Sequence, residues 1–360
     1  MVVLPTAVIK YKSAFESADS KDLRGHSGKV NSVKWSNDGR RLASGSAEKS
    51  ARIWTIERSV CDGSVVYRFE DLANSGMSIP WNTAWLHDAT QTLRDSSELR
   101  GHQGSISQVV WDPDHPEKLA TASVDCTVRL WDVRAHRAAA QTIQTKGENI
   151  NMCWSPDGQC IAVGNRDDLI SFIDPRGGTD SEGKKTYIWH TLSSDHEVNE
   201  LEWNFAGDLL FLTTGEGTVK VIEFPSFKVV HTFRAHTANA YCIEFDPRGR
   251  YFATGGADAI VALWDIETLT SMQTFSRLDW PIRALAFSYE GDFIASGSDD
   301  KCIDISHTES GEHIFTIRAN AAINTLAWHP SKHLLAYATD GIDHSSRPAS
   351  LQVFGFSRPS

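Results

Sequence analysis

An aromatic residue closes an alternating run of apolar and polar positions seven times, at Trp35, Trp111, Trp154, Trp203, Phe245, Phe287 and Trp328. Each time there follow a turn, a short run of apolar and small residues, an acidic turn and a second alternating run. The second unit reads ISQVVW (106–111), the turn DPDHPEK (112–118), LATAS (119–123), Asp125, then TVRLWD (127–132). The fifth reads YCIEF (241–245), DPRGR (246–250), YFATGG (251–256), Asp258, then IVALWD (260–265). Alternation with period two, punctuated by Pro, Gly and Asp, predicts short strands joined by tight turns. The spacings between aromatic markers are 76, 43, 49, 42, 42 and 41 residues. A four-stranded blade takes roughly 40–45 residues. An insertion of about 34 residues in the first interval restores that period. Seven markers therefore predict an all-β chain, a single seven-bladed β-propeller, whose blades bury together what no short strand can bury alone.

Composition bounds this picture without changing it. The chain has 360 residues, 41% hydrophobic and 22% charged, enough to build a sizeable core. Its net charge of −11 argues against broad binding to a phosphate backbone. No run approaches 18 apolar residues, and MVVLPTAVIKYKSAF lacks a positive n-region and a clear cleavage site. The six cysteines, Cys61, Cys126, Cys153, Cys160, Cys242 and Cys302, form no CxxC pair, as expected of a reduced compartment.

The units resemble the WD-repeat family. That resemblance implies a tetrad crosslinking each blade: a His before the first strand, a Ser or Thr in the second, an Asp in the next turn and a Trp in the third. The matching residues are His102, Thr121, Asp125 and Trp131 in blade two, and His236, Thr254, Asp258 and Trp264 in blade five. Blade one offers His26, Ser44 and Trp54, with Glu48 where Asp is expected. Blades three, four, six and seven lack the full set. Such residues satisfy buried hydrogen-bonding groups. The resemblance also implies ring closure: a segment at 14–23 forms the outermost strand of the last blade, and SLQVFGF (350–356) its third strand. Residues 1–13 and 357–360 are then tails.

Residues 57–98 interrupt the period. They carry seven Asp or Glu against three Arg and no Lys. A flexible decoration is one reading. A docking element anchored by Trp81 and Trp85 is the other, since exposed Trp is a common interface anchor. At its end, TLRDSSEL (92–99) reads as the outer strand of the next blade; a second irregular stretch, GGTDSEGKK (177–185), reads as a polar loop that explains the 49-residue interval.

Catalytic signatures are missing: there is no P-loop, GxSxG or HExxH. His329 and His333 are four apart, but Pro330 places them in a turn and not on a metal-binding helix. Asp167-Asp168 and Asp299-Asp300 fall in the acidic turns that serve the fold. The basic pairs Arg40-Arg41, Lys184-Lys185 and Arg248/Arg250 are dispersed, unlike a nucleic-acid surface. The reading is therefore of a protein that is no enzyme and uses no cofactor, metal or small-molecule substrate.

Some segments are more distinctive. TKGENINMCWSPDGQCIAVGNRDD (145–168), DHEVNELEWN (195–204), FSRLDWPIRALAFS (275–288) and AWHPSKHLLAYATD (327–340) together resemble the WD-repeat subunits of the THO/TREX mRNA-export assembly. That resemblance implies a nuclear, non-catalytic scaffold coupling transcription to mRNA processing and export. It would be held by other THO/TREX subunits, large helical proteins, with RNA contact indirect or weak and no membrane association. The alternative is a WD-repeat peptide reader or adaptor in a chromatin or ubiquitin-ligase complex. Partner-binding candidates are Lys29, Lys146, Glu148, Asn149, Arg277, Asp279 and Trp280, in loops on one face. Arg277 and Trp280 stand in blade six where the family carries its His-containing turn.

Overall fold

The computed structural model describes residues 6–61, 64–71, 97–135, 139–179, 183, 185–340 and 350–357. Helix α1 (Thr6–Glu16) is followed by strand β1 (Ala18–Leu23). Blade one contains β2 (Val30–Trp35), β3 (Arg41–Ser46), β4 (Ser50–Cys61), β5 (Ser64–Asp71) and β6 (Ser97–Arg100). Blade two contains β7 (Ile106–Trp111), β8 (Lys118–Ser123), β9 (Thr127–Asp132) and β10 (Gln141–Gln144). Blade three contains β11 (Asn149–Trp154), β12 (Ile161–Asn165), β13 (Leu169–Thr179) and β14 (Lys185–Ser193). Blade four contains β15 (Val198–Trp203), β16 (Leu209–Thr214), β17 (Thr218–Glu223) and β18 (Lys228–Arg234). Blade five contains β19 (Ala240–Phe245), β20 (Tyr251–Gly256), β21 (Val261–Asp265) and β22 (Ser271–Phe275). Blade six contains β23 (Ile282–Phe287), β24 (Phe293–Ser298), β25 (Cys302–His307) and β26 (His313–Arg318). Blade seven contains β27 (Ile323–Trp328), β28 (Leu335–Thr339) and β29 (Leu351–Ser357), with β1 as its outer strand.

All seven aromatic markers end the first strand of a blade. Those first strands touch one another in cyclic order, β27 closing back on β2, so they form the innermost ring around a channel. Inter-blade bonds tie the ring. The indole of Trp111 donates to the Lys34 carbonyl at 2.9 Å, and that of Trp35 to the Ala327 carbonyl at 3.0 Å. Seven apolar clusters fill the blades and the spaces between neighbours.

Ring closure is as expected at β29, which pairs antiparallel with β1 from Leu23↔Leu351 to Ala18↔Ser357. The boundary of the N-terminal tail is corrected. Residues 6–16 are helical, and Phe15 is buried against Phe293, Phe315 and Phe354 at the junction of blades six and seven. An aromatic side chain inserted between two sheets explains why this segment is not a tail.

The insertion boundaries change too. β4 runs on to Cys61 and pairs with β5, while β6 pairs with the first half of β4. The strand within 92–99 is therefore the outer strand of blade one, not of the next blade. The irregular stretch 177–185 is framed by strands, with Thr179 paired to Lys185.

The turn between second and third strands has one chemistry throughout the first six blades. An acid is followed by a residue of positive φ: Lys49, Cys126, Asp168, Ala259 and Lys301, with Gly217 in blade four. At Gly217 a Cβ would stand 2.3 Å from the Ala238 carbonyl, so glycine is required there.

Candidate functional site

Three blades carry the complete hydrogen-bonded tetrad. In blade two the Trp131 indole donates to Thr121 Oγ1 at 2.8 Å. Thr121 meets His102 Nε2 at 2.7 Å, and His102 Nδ1 meets Asp125 Oδ2 at 2.9 Å. Blade five repeats this with Trp264, Thr254, His236 and Asp258 at 3.0, 2.9 and 3.0 Å. Blade one uses Trp54, Ser44, His26 and Glu48 at 3.0, 2.7 and 2.5 Å, so Glu48 does the work of Asp. Burial lowers the pKa of all three histidines, which are neutral. A neutral imidazole gives its Nδ1 proton to the carboxylate and accepts the hydroxyl proton at Nε2. Each chain of bonds thus runs one way, from indole to carboxylate. Burial alone would raise the Asp125 carboxyl, but bonds from Thr127, the Gln103 amide and His102 outweigh it and hold it at about 2. The arrangement satisfies buried polar groups and leaves no nucleophile facing solvent.

Blades three and six replace the tetrad, and two of the partner-binding candidates, Asn149 and Arg277, take part in the replacement. Asn149 is buried, and its amide donates to the Ser123 and Thr127 carbonyls at 3.1 Å each. It fastens blade three to blade two. Arg277 donates to Asp304 at 3.2 Å, Ser306 at 2.6 Å and the Gly311 carbonyl at 3.0 Å. Leu278 aligns with the tetrad His of blade five and Ser306 with its Trp, so this guanidinium ties blade six by another route. Asp300 keeps the acid's role by accepting the Asp279 and Trp280 amides at 2.7 and 3.2 Å.

The remaining candidates among the described residues lie on the face from which the first strands start. Lys146 is exposed, and Glu148 pairs with Arg166 at 2.8 Å. Lys29 reaches across the ring closure to Asp340 at 2.5 Å. Asp279 is exposed beside Trp280, whose side chain is 60% exposed. Trp81 and Trp85 lie outside the described residues. His329 is buried against the Gly39 carbonyl at 2.8 Å, while His333 packs among Tyr11, Phe293 and Tyr289.

The channel mouth on the same face is a cavity of about 460 Å³. It is edged by Lys29–Asp340 and by Arg283, which pairs with Asp299 at 3.1 Å and lies 4.5 Å over the Tyr241 ring. Deeper in the channel, Lys34 stands 3.6 Å from Glu244, with Glu200 and Glu202 alongside. The sequence reading missed this group, because the first strands of blades one, four and five bring it together across the channel from residues 34 to 244. Burial raises Glu200 to about 7 despite its bond from Gln108, and raises Glu202 as well.

A pH dependence follows. Glu200 binds its proton more tightly folded than unfolded, so its ionisation destabilises the fold as pH rises from about 4.5 through about 7. Glu200→Gln is expected to gain about 1–2 kcal/mol at pH 8, after allowance for solvent screening, and nothing at pH 4. Urea unfolding at both pH values measures this. A gain that persists at pH 4 would rule out ionisation as its cause.

Comparison with known proteins matches the geometry. The sequence profile of the THOC3 beta-propeller domain matches residues 26–338. "THO complex subunit 3" of Arabidopsis thaliana is 41% identical over 344 residues, covering 95% of this chain and 97% of that protein. "WD repeat-containing protein AAC3" of Dictyostelium discoideum is 34% identical over 347 residues, covering 95% of this chain and 68% of that protein. Among solved structures, the β-propeller domain of Cps50 (Swd1) from Myceliophteria thermophila superposes with a TM-score of 0.71 at 16% identity, over 94% of this chain and 100% of that one. The last likeness shows the fold alone.

Proposed function

The chain belongs to the THOC3 β-propeller family, and on that premise we propose that it is a non-catalytic scaffold subunit of a THO/TREX-type assembly. It works in the nucleus, coupling transcription to mRNA processing and export. The observation that carries this reading is identity of 41% over nearly the whole length of a protein named as a THO subunit. The site geometry supports a scaffold: its polar residues are spent on blade tetrads and matched ion pairs. Contacts are with the other, larger THO subunits, and RNA is met through them.

Affinity purification from nuclear extract with nuclease treatment tests this. Recovery of the other THO subunits is expected. Recovery of cullin adaptors or chromatin-modifying proteins in their place would overturn it. Trp280→Ala is expected to weaken recovery about tenfold while leaving the unfolding midpoint unchanged, as for an exposed interface anchor. Arg277→Met, by contrast, is expected to lower stability by about 2 kcal/mol because it removes the guanidinium paired with buried Asp304. Unchanged recovery with Trp280→Ala would remove this face from the proposed interface.

A further inference from the structure

Four of the seven large hydrophobic side chains exposed among the described residues lie on the outer strands of three consecutive blades: Trp189, Val229, Val230 and Met272. Trp189, Val230 and Met272 are structurally equivalent. Each is the extra, unpaired residue of a bulge, between His190 and Ile188 in β14, His231 and Val229 in β18, and Gln273 and Ser271 in β22. A bulge turns its extra side chain out of the ladder. Trp189 is not isolated. Its ring lies 5.5 Å from Phe227 and 5.9 Å from Phe224 of blade four, so an aromatic patch bridges blades three and four.

Blade six shows what such a position accepts. Its bulge residue in β26, between Phe315 and His313, is Ile314, and it is buried. It belongs to the cluster that holds Phe15, and α1 lies against this strand. The chain's own aromatic-bearing helix thus covers at blade six what stays bare at blades three to five.

We propose that the outer wall of blades three to five is a docking surface for an acidic amphipathic helix of a partner protein. Helical packing fits better than strand addition, because the bulges interrupt the edge a pairing strand would need. Charge chooses the partner's sign. β18 carries Lys228 and Arg234, both exposed, at its two ends, in a chain whose net charge is −11. A second copy of this chain is disfavoured: antiparallel apposition of two β18 strands sets each Lys228 against an Arg234. The wall gives the proposed scaffold role a surface and a partner chemistry, and rests on that role only in taking the partner to be a protein.

Photo-crosslinking from the full-length chain in nuclei tests this, with the reactive residue placed at Val230, at Met272 or, as control, at exposed Thr142 of blade two. Val230 and Met272 are expected to crosslink at least about tenfold more than Thr142, to one protein, in a helix-forming segment of net negative charge. Lys228→Glu with Arg234→Glu is expected to reduce the Val230 yield about tenfold at unchanged unfolding midpoint. Yields equal to the Thr142 control, crosslinks to a basic segment, crosslinks to this chain itself, or indifference to the charge reversal would each overturn the proposal. Failure to recover THO subunits from extract would overturn the assembly and leave the docking surface standing.

Discussion

Trp131→Ala is expected to lower the stability of the propeller by about 3–5 kcal/mol, the usual cost of removing a buried Trp. Trp131 is 2% exposed and packs with Ile53, Leu99, Val109 and Leu119, so its loss opens a cavity between blades one and two. It also removes the donor that starts the directed bond chain through Thr121 and His102 to Asp125. Trp131→Phe separates the two effects. It keeps most of the packing and loses the bond, for about 1–2 kcal/mol. Urea unfolding measures both, and a Trp131→Ala loss under 1 kcal/mol would mean that the tetrad is ornamental. The same chain makes the protein acid-sensitive. His102 titrates lower folded than unfolded, so its contribution is present above about 6.5 and is lost as pH falls through that range. Asp125 adds a second loss below about 3.8, as pH falls toward its folded value of about 2. His102→Gln is expected to blunt the first loss and spare the second.

The blades were legible because their signal is local and repeated. A strand that ends in Trp or Phe beside a Gly or Pro turn reads the same in any blade, so seven markers found seven first strands. The tetrads were legible for the same reason, including Glu48 for Asp. What escaped depends on contacts between blades. Asn149 opens β11 and Arg277 lies in the loop before β23, where a functional reading is natural, yet each bonds to residues 22 to 34 positions away. The group of Lys34, Glu200, Glu202 and Glu244 exists only once the ring closes. The bulges that expose Trp189, Val230 and Met272 depend on register, and register is set by the neighbouring strand. Helix α1 escaped because Tyr11 and Phe15 serve a seam between the last two blades, far off in sequence.

Removal of residues 1–23 is expected to abolish cooperative unfolding of the remaining chain. Blade seven would lose its outer strand, and β29 would present a bare edge along Leu351–Ser357. Leu23, packed with Trp54, Leu351 and Val353, would leave the seam between blades seven and one. Phe15 would leave the seam between blades six and seven. Two buried side chains and a six-residue ladder together rival the whole stability of a domain, about 5–15 kcal/mol. Removal of residues 1–16 alone keeps β1 and forfeits the helix. It is expected to cost about 3–4 kcal/mol, mostly Phe15, and to leave a single transition. Calorimetry of the two truncations distinguishes strand from helix. Equal midpoints for the 1–23 truncation and the intact chain would show that the ring does not need its N-terminal strand. If the strand is the clasp, a synthetic peptide of residues 17–27 added to the 1–23 truncation restores the transition in a concentration-dependent way, because it binds the folded ring and not the unfolded chain.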